Sequence, residues 1–232
     1  MPAADALARL FAAPIAHRGL HACGAAGPVE NSISAARAAI AAGYGIECDI
    51  RLSRDGEAMA FHDAALGRLT GRDGDLAAHD AEALTAMPLR GGGDTIPTLP
   101  ALLAAVGGRV PLVIEIKSDG DGDMRLAERA MALVAAYPGA VALESFDPKV
   151  VVHCRRAGAP CPIGLVGPLE MAAWPGDAAW AACQFLSWDV RRLETLTPAE
   201  LPLSAWTVRT PVDAATARGY GAQIVFEGFR PV

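Results

Sequence analysis

The stretch PIAHRG (14–19), followed by VENSISAARAAIAAG (29–43) and GIECDIRLSRDGEAMAFHD (45–63), decides how the rest of the chain is interpreted. It holds two histidines, an arginine and two closely spaced carboxylates, each in or beside a short apolar run. Such runs are typical of strands, and residues i and i+2 of a strand point the same way. Glu47 and Asp49 are therefore predicted to share one face, with Cys48 on the other.

Two carboxylates side by side need positive charge nearby. Two like charges ~4 Å apart repel each other by about 4 kcal/mol at an effective dielectric constant of ~20. A bound cation or a shared proton would relieve this repulsion. The pair is therefore a candidate cation site.

Apolar runs alternate with helical patterns along the rest of the chain. Counting the runs that begin at 14 and 45, the alternation makes eight β/α steps, the number that closes a barrel. The sequence therefore predicts an α/β fold, a (β/α)8 TIM barrel, as a single domain over residues 1–232. The predicted strands are 14–17, 45–52, 58–61, 110–116, 140–144, 162–166, 185–188, 203–208 and 223–226, and the predicted helices are 33–42, 99–106, 124–136, 149–157, 178–182, 198–201 and 212–219.

The segment that follows the second strand is too long for an ordinary connection. It contains LGRLTGRDGDL (66–76), a glycine triplet (91–93) and IPTLPALLAAVGG (96–108), whereas connections in compact domains usually take about 4–6 residues. We interpret residues 64–109 as a small insertion after the second strand. The predicted helix 99–106 then rejoins the main pattern.

Composition and charge restrict the class of protein. Hydrophobic residues make up 52% of the chain and charged residues 20%, which is typical of a globular protein. The formal net charge of −6 argues against nucleic acid as a partner, because nucleic-acid-binding proteins carry a basic face. No apolar run is long enough to span a bilayer, and the first residues lack a basic segment followed by an apolar one. Neither stable membrane insertion nor a secretory leader is therefore expected.

The five cysteines give an expectation about the compartment. Their number is odd and no CxxC pair occurs, which favours neither a disulfide framework nor a zinc site. A reducing, cytoplasmic location is therefore expected. The sequence does not decide the oligomeric state, and a homo-oligomer stays open.

The active site of such a barrel lies at the carboxyl ends of its strands. The third strand reads LVIEIKS (112–118), so Glu115 and Lys117 repeat the i, i+2 arrangement with opposite charges. Three carboxylates from two strands would form an oxygen-lined site that suits Mg²⁺ or Ca²⁺. The residues near predicted strand ends are His17, Glu47, Asp49, Glu115, Ser145, Trp188 and Trp206. Three other histidines have no evident partner and are interpreted as surface or structural residues: His21, His79 and His153.

Five short motifs together resemble those of the glycerophosphodiester phosphodiesterase family. The family pattern is HRG, ENS, ExD, a Ser/Thr-x-Asp-Gly turn and HD, and the chain has these in order at 17–19, 30–32, 47–49, 53–56 and 62–63. The segments HDAALGRLTGRDGDL and IPTL continue the resemblance through the insertion. The resemblance implies metal-dependent hydrolysis of a small-molecule glycerophosphodiester to glycerol 3-phosphate and an alcohol.

The resemblance also implies roles for six residues. These are acid and base for His17 and His62, metal ligand for Glu47, Asp49 and Glu115, and a wall beside the glycerol for Trp206, within SAWTV (204–208). Arg18 and Lys117 offer positive charge where a phosphate would sit, so both are candidate substrate-binding residues. Histidine suits proton transfer because its ordinary pKa lies near neutral pH. Arginine can hold a phosphate with two hydrogen bonds. Glu30 and Asn31 are expected either to touch substrate or to support the start of a helix that Ser32 caps.

The chain departs from the family pattern at the mouth of the barrel. Val29 stands where proline is usual, and Arg209 follows SAWTV where asparagine is common. The last strand ends in VFEG (225–228) instead of a Thr-Asp/Asn-x-Pro phrase. The implied metal and acid/base sets are complete, whereas these departures fall where substrate contacts from the ends of the last two strands are expected.

Two other functions fit the same pattern. A lysophospholipase D-type enzyme would need an apolar entrance for an acyl chain, and the insertion holds few large apolar residues. A non-catalytic barrel that binds a ligand would be expected to lack one of the five central side chains, and none is missing.

Overall fold

The apolar runs of the sequence form a sheet in the computed structural model, which describes residues 3–23, 26–167, 176–196 and 201–231. The predicted strands are observed within two residues of their expected bounds. The strands are β1 (Ile15–Ala16), β2 (Gly45–Leu52), β3 (Ala58–Ala60), β4 (Leu112–Ile116), β5 (Val141–Ser145), β6 (Ile163–Gly167), β7 (Phe185–Asp189), β8 (Leu203–Val208) and β9 (Gln223–Phe226).

The helices begin at capping residues that the sequence supplies. Ser32, Thr98, Asp147 and Thr210 each accept a hydrogen bond from a backbone N–H of the first turn, which satisfies a donor that has no partner inside the helix. The α-helices are α1 (Ala3–Leu10), α2 (Ile33–Ala41), α3 (Gly67–Thr70), α4 (Ala81–Thr85), α5 (Leu99–Val106), α6 (Arg125–Val134), α7 (Pro148–Arg156), α8 (Gly176–Ala182) and α9 (Pro211–Gly219). Leu76–Ala78 and Val190–Thr195 are 3-10 helices. The predicted helix 198–201 lies outside the described residues except for Leu201, which is in a bend.

Hydrogen bonds between strands close the sheet into a barrel. Within the described ranges, eight strands run parallel, and β1 pairs with both β2 and β9 to complete the ring. The short strand β1 pairs only with the first two residues of β2. The carboxyl end of β2 is therefore free on that edge, and β3 pairs with it there in the antiparallel direction, with Ile50 opposite Ala60. The predicted (β/α)8 barrel is therefore confirmed, with one additional strand.

Side chains that alternate along the strands divide into two apolar layers. One layer lies between the strands and the surrounding helices and includes Cys48, which faces away from Glu47 and Asp49 as expected. The other fills the amino-terminal end of the barrel, where Leu10 of α1 packs with Ile15 and Phe185. Helix α1, which closes this end of the barrel, was not predicted from the sequence. No helix in the described part of the chain is long and apolar enough to cross a membrane.

The segment between β3 and β4 has an apolar core of its own. Leu66, Leu69 and Leu84 are buried there together with Phe61, which follows β3. The last helix of the segment, α5, belongs instead to the layer of helices around the barrel. The segment's own core also includes Met59 of β3 and Val29, which precedes Glu30, so the segment packs on β3 and on the chain before α2.

Candidate active site at the carboxyl end of the barrel

A cavity of about 230 Å³ lies at the carboxyl ends of the strands. Of the eight candidate site residues, seven line it: His17, Arg18, Glu47, His62, Glu115, Lys117 and Trp206. The eighth, Asp49, is completely buried and contacts two of these seven. The fold therefore brings all eight to one place.

Glu47, Asp49 and Glu115 form a buried acidic triad. One ligand oxygen from each lies within 4.8 Å of the others, because β2 and β4 pair in a register that puts Asp49 opposite Glu115. Glu47 Oε2 accepts a hydrogen bond of 2.9 Å from the Arg18 backbone N–H, whereas the buried Glu47 Oε1 has no hydrogen-bond partner. An unpartnered carboxylate oxygen beside two other carboxylates fits a hard cation such as Mg²⁺ or Ca²⁺.

The three carboxyl groups differ in their affinity for a proton. Burial raises the pKa of Glu47, and the charges of Asp49 and Glu115 raise it further. Burial and then Asp49 raise the pKa of Glu115 to about 7. Burial would also raise the pKa of Asp49, but the charges of Lys117 and Arg18 outweigh it and hold that pKa well below its usual range. One stable carboxylate therefore lies beside two that favour a proton or a cation.

The Lys117 ammonium lies among these carboxylates. Lys117 Nζ is 2.8 Å from Asp49 Oδ1 and 2.6 Å from Glu115 Oε1. Burial alone would lower the pKa of Lys117, but the two carboxylates raise it. The ammonium is therefore charged, and it faces the cavity.

Arg18 is held by two carboxylates at the opposite side of the triad. Its Nη1 donates to Glu30 Oε1 at 2.7 Å, and its Nε lies 3.2 Å from Asp49 Oδ2. Asn31 also contacts Asp49: its amide donates to Asp49 Oδ2 at 2.9 Å and its carbonyl accepts the Asp49 backbone N–H at 3.1 Å. Glu30 and Asn31 therefore hold residues of the site, while Ser32 caps α2.

His17 makes a hydrogen bond that was not expected from the sequence. Its Nδ1 lies 2.7 Å from Glu227 Oε2, at the end of β9. The hydrogen bond from His17 is the main reason that the pKa of Glu227 falls to about 2, so the carboxylate can only accept and Nδ1–H donates. His17 Nε2 then faces Glu47, 3.9 Å from Glu47 Oε2. The departure from the family pattern at the end of the last strand thus supplies a partner for this histidine.

His62 has a similar partner. Its Nδ1 lies 2.7 Å from Asp63 Oδ1, and Asp63 also contacts Arg68. Burial would raise the pKa of Asp63, but hydrogen bonds from Arg68 and His62 outweigh it and hold the pKa at about 2. Burial is also the largest cause of the lowered pKa of His62. Both histidines therefore pair Nδ1 with a carboxylate, which fixes the ring and the tautomer.

Trp206 forms part of the cavity wall. Its ring meets Phe146 edge to face, with centroids 5.6 Å apart, and its indole N–H donates to the Ser187 carbonyl at 3.2 Å. The indole is thus fixed at one end while the ring borders the cavity.

Glu144 is a further carboxyl group of the cavity that sequence reasoning missed. It lies opposite Glu115 in the sheet, is 5% exposed, and its Oε2 has no hydrogen-bond partner. Burial and then Glu115 raise its pKa to about 8. A charged residue inside the apolar run VALES was the available signal, as it was for Glu115.

Three other residues singled out in the sequence lie outside the cavity. Trp188 belongs to the outer apolar layer, and the Ser145 hydroxyl donates to the Ile116 carbonyl at 2.7 Å. Both lie at or next to the carboxyl end of a strand, as expected, but neither is among the residues that line the cavity. His21, interpreted as a surface or structural residue, lies with its Nε2 4.0 Å from Glu227 Oε2, beside the site.

Comparisons with known proteins give a family for this chain. The model of the family described as "Glycerophosphoryl diester phosphodiesterase family" matches residues 17–227. This range includes all eight candidate site residues as well as Glu227. A comparison with curated protein sequences finds no match.

Solved structures with the same fold support the barrel. A phosphodiesterase from Oleispira antarctica, in complex with the product sn-glycerol-3-phosphate, has a TM-score of 0.76 at 23% identity, over 91% of each chain. A glycerophosphodiester phosphodiesterase from Thermotoga maritima has a TM-score of 0.74 at 21% identity, over 92% of this chain and 94% of its own. One from Parabacteroides distasonis has a TM-score of 0.76 at 21% identity, over 92% of each. At these identities the likeness shows the fold.

Proposed function

The chain belongs to the glycerophosphoryl diester phosphodiesterase family, and we propose that it hydrolyses glycerophosphodiesters to glycerol 3-phosphate and an alcohol, with a divalent cation and two histidines. The observation that carries this proposal is the convergence of the acidic triad, two cationic side chains and two carboxylate-paired histidines on one cavity. Water attacks phosphorus, the bond from phosphorus to the alcohol oxygen breaks, and the alcohol leaves with a proton.

The triad of Glu47, Asp49 and Glu115 would hold the cation. The unpartnered Glu47 Oε1 and the raised pKa values of Glu47 and Glu115 support this role. Bound there, Mg²⁺ or Ca²⁺ would offset the negative charge of the phosphoryl oxygens and polarise them.

Arg18 and Lys117 bind the phosphodiester by charge. Both face the cavity from either side of Asp49, and charge-assisted hydrogen bonds to phosphate are among the stronger ones in proteins. Trp206 borders the glycerol, because its ring offers an apolar face beside the charged groups.

His17 and His62 transfer the protons. With Nδ1 of each ring donating to a carboxylate, Nε2 of each is the nitrogen that exchanges a proton. One ring accepts the proton of the attacking water and the other gives a proton to the leaving alkoxide.

The lysophospholipase D alternative is less well supported. It needs an apolar entrance, but the large apolar residues of the insertion, such as Leu66, Leu69 and Leu84, are buried in the insertion's own core. A cavity of about 230 Å³ suits the glycerophosphoryl group better than an acyl chain.

Activity measurements on a panel of glycerophosphodiesters test the proposal. Turnover should require added Mg²⁺ or Ca²⁺ and stop in excess chelator. Since a proton transfer typically contributes 10²–10⁴-fold, His17→Ala and His62→Ala should each lose at least about a hundredfold in kcat. Because the two rings act as a unit, the kcat of the double variant should be little lower than that of the less active single variant.

The matched control is His153→Ala, which removes a histidine that pairs with Glu128 on the outside of the barrel. It should retain wild-type kcat. Full turnover in chelator with no bound metal, or near-normal kcat in either active-site variant, would contradict the mechanism.

A further inference from the structure

Arg68, in the short helix α3 of the insertion, makes two ion pairs at once. Its Nη1 and Nη2 donate to the two oxygens of Glu30, each at 2.7 Å. Its Nε donates to Asp63 Oδ2 at 2.6 Å and its Nη2 to Asp63 Oδ1 at 3.1 Å. Both edges of the planar guanidinium are therefore occupied by a carboxylate, an arrangement that a lysine cannot reproduce.

Each of these carboxylates also holds a residue of the cavity. Glu30 Oε1 accepts from Arg18 Nη1 at 2.7 Å, and Asp63 Oδ1 pairs with His62 Nδ1 at 2.7 Å. The five side chains thus form a continuous series, Arg18–Glu30–Arg68–Asp63–His62. Its ends are the proposed phosphate-binding arginine and one of the proposed acid/base histidines.

Arg68 itself is attached to a fixed part of the insertion. Leu69, next to it in α3, is buried in the apolar core of the insertion. The helix ends at Gly71, whose φ of 72° is the left-handed conformation that glycine adopts without strain. The guanidinium therefore projects from an anchored helix.

The contribution of Arg68 to stability should be small. Its side chain is 47% exposed, and exposed ion pairs are screened by solvent. Its effect on the catalytic rate can be larger, because a displacement of about 1 Å in the site can lower the rate on the order of a hundredfold.

We propose that Arg68 is a positioning residue that fixes the phosphate-binding arginine through one carboxylate and the acid/base histidine through the other. This inference rests on the proposed function for the roles of the two ends. The insertion thereby sets the geometry of substrate binding and of proton transfer together.

Steady-state kinetics on a glycerophosphodiester separate the two branches. Arg68→Ala should raise KM and lower kcat, each by about tenfold, as is usual for residues that orient site groups. Glu30→Gln should mainly raise KM, and Asp63→Asn should mainly lower kcat. In the Glu30→Gln background, Arg68→Ala should no longer change KM. In the Asp63→Asn background, Arg68→Ala should no longer change kcat. Arg68→Lys should recover only part of the loss.

The matched control is Arg129→Ala. Arg129 makes the same kind of two-bond ion pair, with Glu57 at 3.0 and 2.8 Å, and is 37% exposed, but neither residue lines the cavity. It should keep wild-type kinetics, and both arginine variants should keep the wild-type Tm within a few degrees. Equal kinetics for the two arginine variants would overturn the proposal, as would fully additive effects in the double variants.

A spectroscopic measurement tests the positioning independently of activity. Long-range ¹H–¹⁵N spectra at about pH 8 should show His62 with its proton mainly on Nδ1 in the wild type and in Arg129→Ala. In Arg68→Ala, the Nε2–H tautomer should increase. An unchanged His62 spectrum in Arg68→Ala would overturn the positioning role of Arg68, whether or not the protein hydrolyses a diester. Absence of diester hydrolysis by the wild type would refute only the proposed function.

Discussion

Glu227 illustrates how one side chain after the last strand changes the site. It follows β9, and its carboxylate accepts from His17 at 2.7 Å while Arg209 lies 3.4 Å away. His17 is 210 positions distant in sequence, so only closure of the barrel by pairing of β1 with β9 makes the contact.

Glu144 is a buried carboxyl group whose proton should make stability depend on pH. Its folded-state pKa of about 8 lies above the ordinary value of about 4.3. Between these values the folded protein keeps a proton that the unfolded chain releases. The free energy of unfolding should therefore fall as pH rises through this window and level off above it.

Glu144→Gln removes this titration. Relative to the wild type, the variant should gain stability as pH rises from about 5 to about 8. Urea unfolding at several pH values, in chelator so that no divalent ion contributes, measures the difference. Glu82→Gln, an exposed residue of α4, is the control and should show little change. A difference between Glu144→Gln and wild type that did not vary with pH would contradict the raised pKa.

At the scale of elements, α1 contributes stability at the end of the barrel opposite the site. Leu10 is 1% exposed and packs with Ile15, Phe185 and Val113. The Phe11 ring meets Phe185 edge to face at 5.6 Å, and the Gln223 amide donates to the Phe11 carbonyl at 2.7 Å. These contacts join the first helix to both early and late strands.

Leu10→Ala should therefore destabilise the fold without impairing the chemistry. Loss of a buried leucine side chain costs about 2–5 kcal/mol when the cavity does not collapse, which denaturant unfolding would measure. The folded fraction should keep wild-type kcat/KM. Val212→Ala, at a residue of α9 that is 74% exposed, should change stability by less than about 0.5 kcal/mol. A large loss of kcat/KM in folded Leu10→Ala would show that α1 influences the site.

The insertion and the strand before it, β3, place residues at the mouth of the barrel. The insertion contributes Arg68, and β3 leads directly to His62 and Asp63. Because β3 uses the edge of β2 that the short β1 leaves free, the returning chain brings His62 to the mouth of the barrel. The position of a proposed catalytic residue thus depends on the length of a neighbouring strand.

For the whole molecule, the acidic triad links cation binding to stability. Glu47, Asp49 and Glu115 come from two strands of the barrel wall, and their mutual repulsion opposes folding unless positive charge offsets it. A ligand that binds only the folded state raises stability by mass action, by about 2.7 kcal/mol at a hundred times its Kd.

Mg²⁺ or Ca²⁺ should therefore raise the Tm of chelator-treated protein by about 5–10 °C at saturation. Glu47→Gln should have a higher Tm than wild type in chelator, because one buried acid is removed, and should lose most of the increase with metal. Differential scanning calorimetry measures both. Glu82→Gln should respond to metal as wild type does. A metal-dependent increase of the same size in Glu47→Gln would exclude Glu47 as a ligand.

Local patterns were enough to predict the barrel and most of its elements. Strands such as β2 and β8 are continuous apolar or alternating runs, and helices such as α2 and α5 begin at side chains that cap them, so both signals lie within about ten residues. The i, i+2 spacing of Glu47 and Asp49 likewise predicted their common face. Helix α1 was missed because its apolar side chains pack on residues as distant as Phe185 and Val225.

The sequence by itself determined the fold class and eight of the side chains that meet at the mouth, because strand periodicity and short motifs are properties of neighbouring residues. Only the tertiary structure decided their partners: Glu227 for His17, Lys117 between Asp49 and Glu115, and Arg68 between Glu30 and Asp63. These contacts depend on closure of the ring, on the register of β2 with β4, and on the path of the insertion. Such long-range geometry sets each distance and each pKa, and no local pattern encodes it.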